Sequence, residues 1–271
     1  MKKILATACL MLICVSVVNA GTVFALDLRA NPNRLLSFPV DAPANNQLAT
    51  TTLDSYAMDF NSAGTTLYAV NVAAPFAIGT MDTATGEYTS NATISGLAAA
   101  DSITGLSCDP TTETFYLTTA QGAGVNNLYT LDPMTGVATL AASLNTPTEL
   151  FIDIAVGPNG DMYAHDIIND ALYSVDKVTG ACTMIGSTGH LANYAQGMDF
   201  DFADGNLYAT VYTGGGTGKF VRFDLTTGEG IILTDTTPWN SEMEMAINSP
   251  IPEPASLALL SLAGLALLRR R

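Results

Sequence analysis

Along most of this chain apolar and polar residues alternate in short runs, such as Leu172-Tyr173-Ser174-Val175 and Phe220-Val221-Arg222-Phe223. A period of two puts every second side chain on one face of an extended strand, and the β-branched and aromatic residues suit that role. No stretch of residues 21–250 sustains a 3.6-residue period with caps, so helices should be nearly absent there.

The strands come in sets. About every forty-five residues the same order recurs: a short apolar strand, a turn, a strand carrying Leu-Tyr or its equivalent, a strand ending in Asp, then Thr-Gly and a last strand. The four copies are Ala57-Met58-Asp59-Phe60 with Leu67-Tyr68 and Asp82 to Gly86; Thr104-Gly105-Leu106 with Phe115-Tyr116 and Asp132 to Gly136; Asp153-Ile154-Ala155 with Met162-Tyr163 and Asp176 to Gly180; and Met198-Asp199-Phe200 with Leu207-Tyr208 and Asp224 to Gly228. Each Asp-x-x-Thr-Gly stretch is a tight hairpin connection, in which the aspartate caps turn amides and glycine takes a positive φ.

Four strands per repeat at this spacing predict an all-β chain, a β-propeller. Its fifth blade has to be assembled from both ends. Val23 to Leu26, Arg34 to Asp41 and Gln47 to Thr50 match the second, third and fourth strands of a repeat, and Glu244 to Pro250 supplies the missing first strand. A five-bladed ring closed by a blade shared between N- and C-terminal strands leaves no free inner edge. A β-solenoid or a β-sandwich is the alternative, and a sandwich does not explain a fixed repeat. The blades loosely resemble the Leu-Tyr-x-x-Asp-x-x-Thr-Gly repeats of secreted bacterial propellers, a likeness that carries no activity with it.

The two termini break this pattern. Lys2 and Lys3 precede an apolar run from Ile4 to Val18, and Val18-Asn19-Ala20 offers the small residues of a cleavage site. Residues 1–20 therefore read as a secretory signal peptide and 21–250 as the propeller domain. At the other end Pro252-Glu253-Pro254 is followed by fourteen apolar or small residues, Ala255 to Leu268, and then by Arg269, Arg270 and Arg271. As a helix that run reaches only ~21 Å, short of a ~30 Å hydrocarbon core. A short membrane anchor with its arginines held inside is one reading. In its three parts and their order, however, residues 251–271 resemble the PEP-CTERM sorting signal. That resemblance implies recognition by an exosortase, a membrane enzyme resembling cysteine transpeptidases. It also implies transient C-terminal membrane anchoring and delivery to the cell envelope, cell surface or extracellular matrix.

From Asp27 to Glu253 the chain carries twenty-five acids against Arg29, Arg34, Lys177, Lys219 and Arg222, a net charge of −20. Such a surface repels nucleic acid and anionic lipid and attracts cations. Cys9 and Cys14 fall within the signal, leaving Cys108 and Cys182, which an oxidising compartment could pair or which could stay as buried thiols.

Aligning the first strands puts Asp59, Gly105, Asp153, Asp199 and Glu244 at one position. Four carboxylates bordering a central channel repel one another unless a cation or hydrogen-bond donors intervene. Ca²⁺ is the natural ion for Asp59, Asp153, Asp199 and Glu244. The competing reading is that each carboxylate bonds backbone amides of its own or the adjacent blade. Trp239 is the only tryptophan, so a sugar-stacking surface like that of five-bladed glycosidases is scarce. Asp199 to Asn206 reads as a strand entering an Asp-Gly turn, His165 and His190 lack a third ligand at a recognisable spacing, and Gly214 to Gly218 is a hairpin loop with no helix behind it. The expected function is a non-enzymatic binding or scaffold propeller that meets an exopolysaccharide or other surface glycan. A secreted polysaccharide hydrolase acting at the central channel is the alternative.

Overall fold

The computed structural model describes residues 20–44, 46–144, 147–194, 196–234 and 240–249. The bulk of the signal peptide, the whole sorting tag and Trp239 lie outside them.

Twenty strands form five four-stranded antiparallel sheets. The first blade holds β4 (Met58–Phe60), β5 (Leu67–Asn71), β6 (Ala77–Met81) and β7 (Tyr88–Thr93). The second holds β8 (Ser102–Asp109), β9 (Thr114–Ala120), β10 (Asn126–Leu131) and β11 (Ala138–Leu144). In the third are β12 (Phe151–Val156), β13 (Met162–Asp166), β14 (Ala171–Val175) and β15 (Cys182–Ser187). The fourth has β16 (Met198–Asp201), β17 (Asn206–Tyr212), β18 (Gly218–Phe223) and β19 (Gly230–Thr234). The closing blade runs β20 (Met243–Asn248), β1 (Thr22–Asp27), β2 (Asn33–Pro39) and β3 (Gln47–Thr51), one strand from the C-terminal side and three from the N-terminal side. The inner strands β4, β8, β12, β16 and β20 each touch the next, and β20 touches β4, so the ring is shut. This is the five-bladed β-propeller that the repeat predicts.

The closing blade obeys the same rules as the others. All five third-to-fourth strand pairings shift register at the equivalent point, Leu35/Leu36 in the closing blade and Leu172/Tyr173 in the third, for example. A bulge there sharpens the local twist.

The core is five slabs, one at each blade junction. Between the third and fourth blades Ala155 and Leu172 pack on Met198, Phe200, Leu207 and Val221, and Tyr163 lies against the Phe200 ring. The closing-to-first slab joins Leu26, Leu35 and Ala246 to Met58, Phe60 and Leu67, with Phe24 against Phe60. Face-to-face burial between adjacent blades is thus the main attraction holding each sheet in place.

The Asp-x-x-Thr-Gly turns tie this packing to the sequence. Asp176 Oδ1 accepts the N–H groups of Val178 and Thr179, and Gly180 closes the turn at φ +72°. A Cβ on Gly180 would stand 2.3 Å from the carbonyl oxygen of Ser143, on the outer strand of the preceding blade. The glycine therefore serves both its own turn and the approach of the neighbouring blade.

Cys108 on β8 and Cys182 on β15 are free thiols in different blades, and burial pushes both up to about 12. Among the described residues no helix is long and apolar enough to cross a membrane.

Candidate functional site

The innermost strands carry the four acids singled out from the sequence, and all four are buried. The structure separates them into two levels. Opposite the second-strand aromatic of each blade stand Asp59, Ser107, Ala155, Asp199 and Ala246, paired with Tyr68, Tyr116, Tyr163, Tyr208 and Phe24. Asp153 pairs with His165 and Glu244 with Leu26, two residues further along the strand and about 7 Å away. The alignment of all four at one position is therefore corrected. In the third blade the residue facing the second-strand tyrosine is Ala155 and in the closing blade the one facing Phe24 is Ala246, so the order of residue types along the first strand misreports the level.

Each blade sends one side-chain oxygen to a backbone N–H of the next blade. Asp59 accepts from Cys108 at 2.7 Å, Ser107 from Val156 at 3.0 Å, Asp153 from Met198 at 2.6 Å, Asp199 from Ile247 at 2.6 Å, and Glu244 from Met58 at 3.2 Å. The last of these returns to the first blade, so five clasps close a cycle. One rule covers both levels: the oxygen reaches the residue one step beyond its own level in the next blade. Asp59, Asp153 and Asp199 also accept, on their other oxygen, the N–H of the residue that follows them, at 2.6, 2.8 and 2.7 Å. The longer Glu244 makes only the inter-blade bond. Its Oε2 is buried with no partner among the described residues.

Glycine makes this closeness possible. A Cβ on Gly105 would lie 2.3 Å from Asp153 Oδ1, and one on Gly197 would lie 2.0 Å from the Met245 nitrogen.

Among the described residues no basic side chain forms an ion pair with the cluster, and raised proton affinity takes its place. Burial is the main reason that Asp59 is pushed up to about 7, opposed by the N–H bonds from Cys108 and Phe60. Burial likewise holds Asp153, Asp199 and Glu244 well above the carboxylate range, and the charge of Glu244 adds to the effect on Asp153. The nearby charge of Asp59 raises Asp199 further. Among the described residues no three His, Cys, Asp or Glu side chains are grouped to hold a metal ion. Seven of the eight carboxyl oxygens each accept one amide N–H.

The histidines play no part in this ring. His165, on β13, is buried against the Phe223 ring at the junction of the third and fourth blades. Neither ring nitrogen has a partner among the described residues, and burial, with a smaller contribution from the nearby His190, holds its pKa down to about 4. His190 Nε2 donates to the Gly230 carbonyl at 2.8 Å, and Lys219 Nζ donates to its Nδ1 at 3.3 Å. Away from the axis, a polar groove of about 430 Å³ at the junction of the first and closing blades is lined by Thr65, Thr80, Asp82, Glu87 and Asn248 among others.

Residues 37–242 match the family described as a repeat of unknown function, DUF6923. The chain belongs to this family. No curated protein matches this DUF6923 chain, whereas many solved structures share its architecture. TolB from Acinetobacter baumannii is 15% identical with a TM-score of 0.51, covering 85% of this chain and 67% of its own. A chain of the nidogen/laminin complex is 12% identical with a TM-score of 0.50, covering 84% and 98%. A Bacteroides thetaiotaomicron protein of unknown function is 16% identical with a TM-score of 0.54, covering 86% and 66%. At such identities the likeness is one of fold.

Sequence reasoning missed Ser107, the fifth clasp. The signal was present as a polar residue one step before Cys108, but a serine in an apolar strand does not announce a bond to another blade.

Proposed function

We propose that this DUF6923 protein is an exported surface propeller that binds a surface glycan or serves as a scaffold, without catalysing a reaction at its axis. The observation that carries this reading is the filled axis. A hydrolase working there needs an acid and a base open to substrate and in different proton states. Here the axial acids are buried, and all but one of their eight oxygens accept backbone N–H groups. Binding is left to the loops and rims. Export and delivery rest on the signal-like N-terminus and on the likeness of Pro252-Glu253-Pro254, the apolar run and Arg269 to Arg271 to a sorting tag read by an exosortase.

Two measurements test this. Replacing Pro252-Glu253-Pro254 by alanines should leave export intact and block tail processing, so that the protein accumulates in the inner membrane. Normal surface delivery of that variant would overturn the sorting reading in favour of a simple anchor. A glycan array run beside a polysaccharide-hydrolysis screen on residues 21–250 should show retention without turnover, and steady release of sugar by the purified body would overturn the non-catalytic reading.

A further inference from the structure

At the junction of the fourth and closing blades three side chains form a row across the surface. The Tyr212 ring, at the end of β17, is buried. The Arg29 guanidinium, from the loop after β1, stands 5.3 Å from its centroid, and the Tyr194 ring lies 6.3 Å away at 39°. Tyr194 is 57% exposed and the neighbouring Leu191 is 79% exposed. Arg29 is exposed too and makes no ion pair among the described residues. In a body this acidic, an exposed guanidinium that stacks on a tyrosine and meets no carboxylate among the described residues stands out.

The platform is held from beneath. The Tyr212 carbonyl accepts the Asn193 N–H at 2.8 Å and Gln196 Nε2 at 3.1 Å, and Gln196 Nε2 also donates to the Asn193 carbonyl at 3.2 Å. Gln196 Oε1 is buried there without a partner among the described residues. Tyr194 itself is held at φ +65°, a region that bulky residues seldom adopt. Beside it Gly216 donates its N–H to the Tyr212 hydroxyl at 3.0 Å.

We propose that this row binds a carboxylated sugar unit of a polysaccharide, the pyranose ring lying on Tyr194 and its carboxylate meeting Arg29. The inference rests on the binding reading above and names the class of ligand and the place. An exposed tyrosine offers an apolar face to the C–H side of a sugar, and a guanidinium pairs with a carboxylate in bidentate geometry. Net charge supplies the selectivity: a densely charged polyanion is repelled by the body, whereas one or a few uronate units can reach Arg29 alone. A neutral sugar would gain the stacking and lose the ion pair.

The test uses the propeller body, residues 21–250, which closes on itself without the tail. A single galacturonate unit, as its methyl glycoside, and the methyl ester of the same compound are titrated against wild type, Tyr194→Ala and Arg29→Gln, following the aromatic resonances by NMR. Wild type should bind the free acid about tenfold or more tightly than the ester. Arg29→Gln should erase that preference, Tyr194→Ala should weaken both ligands, and Arg29→Lys should restore part of the preference. Thermal melts confirm that the variants are folded. If neither ligand shifts wild type, or if both variants bind the acid as wild type does, the assignment is overturned. Array binding of other glycans that ignores both variants would overturn this site while leaving the binding reading in place. Release of sugar by the body would instead overturn the binding reading.

Discussion

Two sets of aspartates in this propeller do the same local work and hold their protons in opposite ways. At the rim, Asp82, Asp132, Asp176 and Asp224 each accept two backbone N–H groups within their own turn, and those bonds in the open solvent lower their pKa. At the axis, Asp59, Asp153 and Asp199 also accept two N–H groups, one from their own strand and one from the next blade, yet burial beside other acids raises theirs. Hydrogen bonding alone does not set the proton state of a carboxyl. Solvent decides whether the same two bonds accompany a charge or a retained proton.

The largest expected effect comes from breaking the axis outright. Deleting residues 242–250 removes β20, and with it the Glu244 acceptor, the Ile247 donor and the apolar contribution to two slabs. Loss of a cooperative melt, with aggregation through the bared edge of β1, is expected. A truncated body that melts like the intact one would show that the cycle of clasps is dispensable.

Next is a single axial acid against a single rim acid. Asp153→Ala leaves the N–H groups of Ile154 and Met198 buried and unpaired, at about 1–3 kcal/mol each, offset by the relief of repulsion from Glu244. A fall in melting temperature of roughly 5–10 °C should follow. Asp176→Ala frees N–H groups that water can satisfy, so its drop should be clearly smaller. Equal losses in calorimetry would erase the distinction between axis and rim.

The pH dependence sharpens the comparison. The axial acids have folded-state values above their unfolded ones, so the native state holds extra protons, and stability should fall as pH rises from about 4 through about 7. The rim acids have lowered values, so their contribution is present above the unfolded value and is lost as pH falls through the lower folded one. His165 opposes the axis within the same window. Its value of about 4 lies below the usual 6.5, and the stability it costs in acid is recovered as pH rises between the two. Replacing His165 by leucine should flatten that recovery and also remove two unpartnered ring nitrogens. The variant's melting temperature should therefore decline steadily from pH 4.5 to 7.5, and a rise over that range would contradict the assignment of raised axial values.

The smallest effect concerns calcium. With amides on the axial oxygens, melting temperatures with excess Ca²⁺ and with excess EDTA should agree. A rise of several degrees with Ca²⁺ that disappears in Asp153→Asn with Asp199→Asn would place a cation among the acids.

The blade count and the composite closing blade were legible because they depend on local chemistry that repeats: the Leu-Tyr strands, the Asp-x-x-Thr-Gly turns, and Glu244 to Asn248 echoing Asp153 to Pro158. The acids were legible as axial residues for the same reason. Their levels were not, because a carboxylate at either of two alternate positions on an inner strand reads alike in sequence, and only the pairing of Ala155 with Tyr163 reveals that Asp153 lies elsewhere. Ser107 and the row of Arg29, Tyr194 and Tyr212 stayed hidden because their meaning lies in contacts between blades distant in sequence.

The composite blade also sets a clock. β1 waits for β20, and 215 residues lie between Asp27 and Met243. At ordinary rates of synthesis that is roughly ten to forty seconds during which β1, β2 and β3 have no inner neighbour. Until the last strand arrives, β1, β2 and β3 form a three-stranded sheet with an unpaired hydrophobic edge, and β1 is the natural site for a holding factor to act.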